Sequence, residues 1–292
     1  MHYDFDIIVD STTDISQQLA DDLNLIVIPY IYNLDDHNYH NYLDYREMSV
    51  KDFYDKLREG KKSTTSQVTA FRYKEAWTPS LEAGRDVLYM CLSSGLSKSF
   101  EQSQLAAREC LEQYPDRKVV TIDTLSASVG QGILAYYAAK ARAEGQSFDA
   151  VVALMHSMVP KVMHWIMAND LHHLRRGGRV SGAAAFVGTM LNVKPILTLV
   201  DDGKIVPVHK ARGVKKAFEY FVDKMNNVDL KGQVVGIAHS DSAPAAEELK
   251  NLIAAAYNVD NFIVSNIGPV IGTHTGPGTV AVVFLGQERI KQ

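Results

Sequence analysis

FDIIV at residues 5–9 is a short β-branched run, and the polar residues DSTT at 10–13 follow it directly. The same order recurs in DVLYMCLSSGLS at 86–97 and in KVVTIDTLS at 118–126, and LIVIPYI at 25–31 is predicted as one further strand. Helical stretches lie between these runs, and strands that alternate with helices form parallel sheets with right-handed crossovers. The first half of the chain is therefore predicted to be a doubly wound, mostly parallel sheet.

The second half of the chain has a different pattern of apolar runs, turns and glycines. VKPILTLV at 193–200 and KIVPV at 204–208 flank an Asp-Asp-Gly turn, which is a hairpin signal. Apolar residues at helical spacing predict a helix over 210–225. IGPVIGTHTGPG at 267–278 holds four glycines and two prolines, which predict a tight loop between two strands. These patterns predict a mixed sheet with helices.

The change from alternating strand and helix signals to hairpin signals predicts a division into two α/β domains. We place the first over residues 1–160, with the parallel sheet, and the second over 161–292, with the mixed sheet and its helices. A segment exchange near 60–80 is left open. The fold class predicted for the chain is therefore α/β, with two domains.

Composition excludes several classes of protein. The 292 residues carry a net charge of −4 and are 46% hydrophobic, values that fit a folded globular chain and weigh against disorder and against a nucleic-acid binder. No apolar run approaches the roughly 20 residues of a membrane-spanning helix, so no stable membrane insertion is expected. The N-terminus does not resemble a signal peptide, and Cys91 and Cys110 fit a reducing compartment, so a cytoplasmic location is expected.

Hydroxyl-rich turns carry most of the polar chemistry of the first half. Ligands of open α/β sheets bind outside the carboxyl ends of the strands, where 10–13, 93–97 and 123–126 are predicted to lie. Free N–H groups at helix N-termini suit carboxylates and phosphates there. The competing interpretation is that these Ser, Thr and Asp side chains simply cap helices. KKSTTSQVT at 61–69 has the same two interpretations, as a cap or as a loop over the crevice.

Other motifs narrow the chemistry. The sequence has no Walker motif, no G-x-G-x-x-G after a strand, and no His, Cys, Asp and Glu set at metal-ligand spacing. RRGGR at 175–179 is interpreted either as a solvated turn or as a contact for an anion or a protein partner. His274 lies in a segment framed by glycine and proline, where we expect it to be exposed together with Thr273 and Thr275.

An ordered set of motifs resembles the DegV family of bacterial fatty-acid-binding proteins, which includes the fatty-acid-binding subunits of the bacterial fatty acid kinase. The likeness covers essentially the whole chain. The motifs are VDSTTD at 9–14, TSQ at 65–67, SSGLS at 93–97, LRRGGRVS at 174–181, LNVKPIL at 191–197, RGVKKA at 212–217 and IGPVIGTHTGPG at 267–278. Each is weak alone, and the order makes the set specific.

The resemblance implies a lipid tunnel between the two domains, with one long-chain fatty acid in it and its carboxylate near the cleft. The carboxylate-binding residues it implies are Thr65, Ser66, Ser93, Ser94, His274 and Thr275. His274 and Arg212 are linked in the family to the phosphoryl end of the bound acyl phosphate, and Arg179 is expected to support that end or face the partner. No cofactor is implied beyond the bound fatty acid, and no metal.

The function that the resemblance implies is carriage rather than catalysis. The protein would present the carboxylate to a separate ATP-dependent fatty acid kinase. A chain of about 16 carbons gains roughly 0.8 kcal/mol per buried methylene, and the small residues of 183–191 could leave room for it. The alternative function is a lipid-ester hydrolase that uses Ser94, His274 and either Asp10 or Asp123, although G-L-S-K-S at 95–99 is not a nucleophile elbow.

Two segments depart from the family pattern. The family usually has TSQPS where this chain has TSQVT at 65–69, and SSxLSGTY where it has Lys98, Ser99 and Phe100. Lys98 adds a positive charge and a long side chain near the expected carboxylate site. These changes bear on head-group geometry or on the docking surface.

Overall fold

The computed structural model describes residues 3–169, 171–180 and 192–291. The strands are β1 (Phe5–Asp10), β2 (Leu25–Ile28), β3 (Tyr30–Leu34), β4 (His37–Asn41), β5 (Ser63–Ser66), β6 (Asp86–Cys91), β7 (Val119–Asp123), β8 (Val162–Met167), β9 (Val193–Leu199), β10 (Ile205–Arg212), β11 (Val235–His239), β12 (Phe262–Asn266) and β13 (Val280–Leu285). The helices are α1 (Gln17–Asp22), α2 (Val50–Arg58), α3 (Ala70–Glu82), α4 (Ser99–Gln113), α5 (Val129–Ala143), α6 (Phe148–Met158), α7 (His172–Arg176), α8 (Gly213–Lys224), α9 (Ala243–Tyr257) and α10 (Pro269–Thr275).

The parallel sheet of the first half has the strand order β2-β1-β6-β7. Successive residues of β1 point to opposite faces, so Ile7 and Val9 pack in the core with α5 and α6, while Ile8 packs in the core with α3 and α4. Helices therefore cover both faces, which confirms the doubly wound prediction. The strand order reverses between β1 and β6, and the crevice outside their carboxyl ends is the usual ligand position in such sheets.

The second half contains a six-stranded mixed sheet with the order β10-β9-β8-β13-β11-β12. Strands β9 and β10 form an antiparallel hairpin around residues 201–204, as the Asp-Asp-Gly turn predicts. Val235 and Ile237 of β11 pack with Phe218 and Phe221 of α8 in a separate core. The predicted fold class, a parallel sheet followed by a mixed sheet, is confirmed. The domain boundary near residue 160 stays a prediction.

The prediction of one strand over 25–31 is wrong. Pro29 separates β2, which pairs with β1, from β3, which belongs to a third, antiparallel sheet with the order β4-β3-β5. Proline fixes its own φ and has no N–H to donate to a ladder, so the chain leaves the parallel sheet there. The N–H of Tyr30 instead donates to the Ser11 hydroxyl at 3.0 Å.

Two predictions in the second half also need correction. Lys210 and Arg212 belong to β10 and not to the following helix, because they pair with β9 up to the Arg212–Val193 register, and α8 begins at Gly213. The segment 267–278 is not a simple loop, since it contains α10, which begins at Pro269 and ends before Gly276, a residue with φ of +72°. Proline suits the first position of a helix because the N–H there has no partner within the helix.

The two halves meet where the SSGLS turn packs on the β9–β10 hairpin. The Ser93 hydroxyl donates to the Gly203 carbonyl at 2.8 Å, and a Cβ on Gly95 would lie 2.7 Å from the Asp202 carbonyl oxygen. This close approach requires glycine at 95. The small residues of 183–191, expected to leave room for a chain, lie outside the described residues. Within the described ranges, no helix combines the length and apolar character needed to cross a membrane.

Candidate functional site

A cavity of about 340 Å³ lies at the carboxyl edge of the parallel sheet, and we call it the main cavity. Its apolar wall comes from both halves of the chain and includes Leu92, Leu96, Leu174, Ile205, Val270 and Ile271. Its polar wall includes Thr65, Ser66, Ser97, Arg179, His274 and Thr275. A mostly apolar cavity with a few clustered polar groups suits an amphipathic ligand.

The Thr65 hydroxyl and Nε2 of His274 form a hydrogen bond of 2.9 Å on the polar wall. Strand β5 positions Thr65, which pairs with Tyr32 of β3, and α10 positions His274. A second bond holds the helix against the strand, since the hydroxyls of Ser63 and Thr273 lie 2.6 Å apart. These two hydrogen bonds fix α10 against β5 beside the main cavity.

His274 is neutral at physiological pH. Burial and the positive charges of Arg179 and Arg176 lower the pKa of its imidazole to about 4. Its Nδ1 is buried and has no hydrogen-bond partner among the described residues. A buried N–H without a partner is costlier than a buried acceptor without one, so we place the proton on Nε2. In that tautomer Nε2 donates to Thr65, and the Thr65 hydroxyl keeps its own proton for an acceptor in the cavity.

A second pocket, of about 240 Å³, also has the Thr65–His274 pair in its lining, and we call it the basic pocket. Thr65, His274 and Arg179 line both cavities. The basic pocket adds Lys62 and Arg176, two further cations. The pair therefore stands between an apolar cavity and a positively charged one.

The two predicted serines of the SSGLS turn lie away from this pair. Ser93 is fully buried and its hydroxyl is used in the bond to Gly203, while Ser94 is exposed and its N–H donates to Asp123 at 3.1 Å. Neither is among the described residues that line the two cavities. Their assignment to the carboxylate stays a prediction. The same positions leave the alternative hydrolase triad unassembled among the described residues, since the side-chain partner of His274 is Thr65 and not Ser94.

The other predicted residues divide into two groups. Ser66 and Thr275 line the main cavity, although Thr275 is buried rather than exposed and its hydroxyl donates to the Ile271 carbonyl at 3.2 Å. Thr273 is also buried, against the expectation of an exposed segment, because the segment is a packed helix. Arg179 lines both cavities and donates to the Leu96 carbonyl at 3.3 Å. Arg212 is exposed and lines a separate depression with His209 and Lys216.

Four of the described polar residues that line the main cavity are not among the predicted ligand contacts: Tyr30, Gln67, Ser97 and Lys98. Ser97 closes the SSGLS motif and Gln67 closes the TSQ motif, but neither is predicted to bind the carboxylate, and Lys98 is expected only near the site. The prediction of one strand over residues 25–31 places Tyr30 in the parallel sheet, and for that reason it does not predict Tyr30 in the cavity wall. A proline inside an apolar run is the signal that could have placed Tyr30 in a different sheet.

Comparison with known proteins identifies the family. A family model described as "Uncharacterised protein, DegV family" matches residues 4–287. This chain belongs to the DegV family. A DegV domain-containing protein of Clostridium perfringens is 38% identical over 287 residues, which is 98% of each chain. The family resemblance expected from the ordered motifs is confirmed.

Solved structures of DegV proteins share the fold. A DegV family protein from Thermus thermophilus, described by its fatty acid binding, matches with a TM-score of 0.85 and 32% identity over 97% of this chain and 99% of that chain. A DegV lipid-binding protein from Thermotoga maritima matches with a TM-score of 0.85 and 29% identity over 98% of this chain and 99% of that chain. Fatty acid and lipid binding are thus properties of DegV relatives with this fold. Among the residues described here, no group of three or more His, Cys, Asp or Glu side chains is placed to hold a metal.

Proposed function

We propose that this protein binds a long-chain fatty acid, with the hydrocarbon chain in the main cavity and the carboxylate at the Thr65–His274 pair. The observation that carries the proposal is the position of this pair, between an apolar wall and the cations of the basic pocket. A volume of about 340 Å³ is within the range of small-molecule pockets, roughly 300–1,000 Å³. Fatty acid binding by the Thermus thermophilus relative supports the same assignment.

The head group is held without a buried counter-charge in direct contact. The Thr65 hydroxyl offers a proton and Ser66 supplies a further hydroxyl on the same wall, while Thr275 lines that wall with its own proton donated to the Ile271 carbonyl. Arg179, which is exposed and borders both cavities, supplies positive charge that attracts a carboxylate. In this arrangement hydrogen bonds offset the desolvation of the carboxylate, and burial of methylenes supplies most of the affinity.

The proposal includes carriage: the protein presents the carboxylate to a separate ATP-dependent fatty acid kinase in the cytoplasm, and acyl phosphate is the product. The sequence has no nucleotide-binding motif, which agrees with a kinase on another chain. Arg179, together with the cations of the basic pocket, offers charge for a phosphoryl group next to the carboxylate position. Arg212 lies on a different surface depression, so we assign it to the partner-facing side.

Mass spectrometry of an organic extract tests the binding function. Protein purified from a bacterial host should release about one fatty acid per chain, because a buried acyl chain exchanges slowly. Delipidated protein should take up added hexadecanoic acid to the same ratio. Protein that yields no fatty acid and takes none up would contradict the proposal.

A reconstituted kinase reaction tests the carriage step. With a DegV-dependent fatty acid kinase, ATP and lipid-loaded protein, Arg212→Ala should bind hexadecanoic acid normally and form acyl phosphate more slowly. Arg108→Ala is the matched control, because Arg108 is an exposed arginine on α4. Full acyl phosphate formation by Arg212→Ala would remove the assigned role of Arg212, while binding would stand.

A further inference from the structure

Tyr30 places a polar group in the main cavity that neither the family motifs nor the site described above uses. Its side chain lines the cavity and is only 2% exposed. The phenol oxygen is buried and has no hydrogen-bond partner among the residues that the structure describes. Buried hydroxyls are usually bonded, and a tyrosine hydroxyl normally finds a partner when it is buried. A cavity-lining phenol without a partner therefore points to a ligand that supplies one.

The phenol is available as a donor. Burial, and then the nearby Asp10 and Cys91, raise the pKa of Tyr30 well above its ordinary value, so the group keeps its proton. The hydroxyls of Ser97 and Ser99 lie near the phenol. Ser97 donates to Ser99 at 3.0 Å and the N–H of Val68 donates to Ser99 at 3.2 Å, so both lone pairs of the Ser99 oxygen are already used. Because the phenol keeps its proton and its oxygen has no hydrogen bond among the described residues, it can donate to a ligand that brings an acceptor into the cavity.

Strand register places Tyr30 at the polar end of the cavity. Tyr32 of β3 pairs with Thr65 of β5, and opposed residues of an antiparallel pair point to the same face. Tyr30 and Tyr32 are two residues apart, so Tyr30 shares this face and is a diagonal neighbour of Thr65, at roughly 7–8 Å, which aromatic side chains can bridge. Helix α10, which carries His274, packs against both strands.

We propose that the Tyr30 hydroxyl donates a hydrogen bond to the carboxylate of the bound fatty acid, alongside the Thr65 hydroxyl. The inference rests on the proposed function and adds a donor that makes the site selective for ionised acids. A carboxylate oxygen accepts more than one hydrogen bond, so Thr65 and Tyr30 do not compete. A hydrogen bond to a charged acceptor is stronger than one to a neutral acceptor. Tyr30 therefore favours a free acid over a neutral lipid of the same length.

Tyr30→Phe tests the inference because it removes one oxygen and keeps the ring. Titration of delipidated protein should show affinity for hexadecanoic acid falling about tenfold or more, and affinity for hexadecanol changing by no more than about twofold. Tyr32→Phe is the matched control, because Tyr32 is a buried tyrosine of the same strand that stacks on Tyr39 and is not among the described residues lining the main cavity. It should bind both ligands as the wild type does.

The outcomes separate this inference from the function on which it rests. Tyr30→Phe that binds hexadecanoic acid as tightly as the wild type, or more tightly, would overturn the inference and place the phenol along the hydrocarbon chain. An equal loss for acid and alcohol would also overturn it, because a packing defect does not distinguish head groups. Wild-type protein that binds neither ligand would instead refute the fatty-acid function itself.

Discussion

Two hydroxyl-rich segments of this chain look alike in sequence and differ in the structure. The segment 10–14 (DSTTD) is completely buried, and its polar atoms bond to one another and to neighbouring elements: Thr12 donates to Gln131 at 2.8 Å, and Asp10 accepts from Tyr89 at 2.7 Å. The segment 64–67 (TTSQ) is half-buried or exposed, and Thr65 bonds to His274 at the wall of a cavity.

The difference between the two segments is in how fully their hydrogen-bonding capacity is used. In the DSTTD segment the Ser11 hydroxyl accepts the N–H of Tyr30 in β3, and the Asp14 carboxyl accepts the N–H of Gly268 at the start of α10. None of the described residues that line the three cavities above belongs to this segment. In the TTSQ segment a hydroxyl proton remains for a ligand. Residue type therefore identifies polar segments, while burial and partners separate a scaffold from a binding site.

The largest expected effect lies in the buried segment, at Asp14. Its carboxyl accepts the N–H of Gly268 at 2.9 Å and the hydroxyl of Ser128 at 2.6 Å, and thereby joins the segment after β1 to the residues that precede α5 and α10. Asp14→Ala should lower the free energy of unfolding by about 3 kcal/mol, because two buried donors lose their acceptor. Urea denaturation measures this. An unchanged midpoint would show that the segment is not a scaffold.

Asp14→Asn is the control, and the two proteins should differ in how their free energy of unfolding depends on pH. Burial raises the pKa of Asp14 to about 8, so the folded protein holds this proton over a range in which the unfolded chain has lost it. The stabilisation from this group is present at low pH and is lost as pH rises from about 4 to about 8. Asparagine resembles the neutral acid, so Asp14→Asn should be more stable relative to wild type at the alkaline end of that range than at the acid end.

A smaller effect on stability, and a clear effect on affinity, are expected at Thr65. Thr65→Val keeps the shape of the side chain and removes its hydroxyl, so affinity for hexadecanoic acid should fall about tenfold, or about 1.4 kcal/mol. The free energy of unfolding should fall by about 1 kcal/mol, less than at Asp14, because the Nε2–H of His274 loses its acceptor. Thr121→Val, a partly buried strand position away from the cavity, is the matched control. Stability loss without affinity loss would place Thr65 with the scaffold.

The sheets of this fold could be predicted from sequence because their signals are local. The apolar runs at 5–9 and 86–92 are bounded by polar turns, and each became a strand of the parallel sheet. The third sheet could not be predicted in the same way. Its pairing of β3 with β5 joins Tyr32 to Thr65 across an intervening helix, and nothing local in either segment specifies such a partner.

Only part of the site could be predicted, because its residues come together through contacts that are distant in sequence. Thr65 and His274 are 209 residues apart. Local sequence indicates 61–69 as a cap or a crevice loop and His274 as a candidate framed by glycine and proline, and only the resemblance to a family assigns both residues to one carboxylate. Ser93 has the same hydroxyl as Ser97, but the position of the hairpin turn at Gly203 decides which of the two faces the cavity. Tertiary packing of one half on the other thus decides which hydroxyls line the cavity. The amino-acid composition does not predict that packing.

The smallest expected effect concerns pH and His274. An imidazole with its ordinary pKa near 6.5 would gain charge as pH falls from about 8 to about 6, and carboxylate affinity would rise. Burial and the neighbouring arginines lower the pKa of His274 to about 4, so the ring stays neutral over that range. Affinity for hexadecanoic acid should therefore change by no more than about twofold between about pH 6 and about pH 8. His274→Gln, which cannot titrate, should show the same flat profile at lower affinity. A wild-type affinity that rises steeply towards pH 6, with a flat profile for the Gln variant, would show instead that His274 binds the carboxylate as an imidazolium.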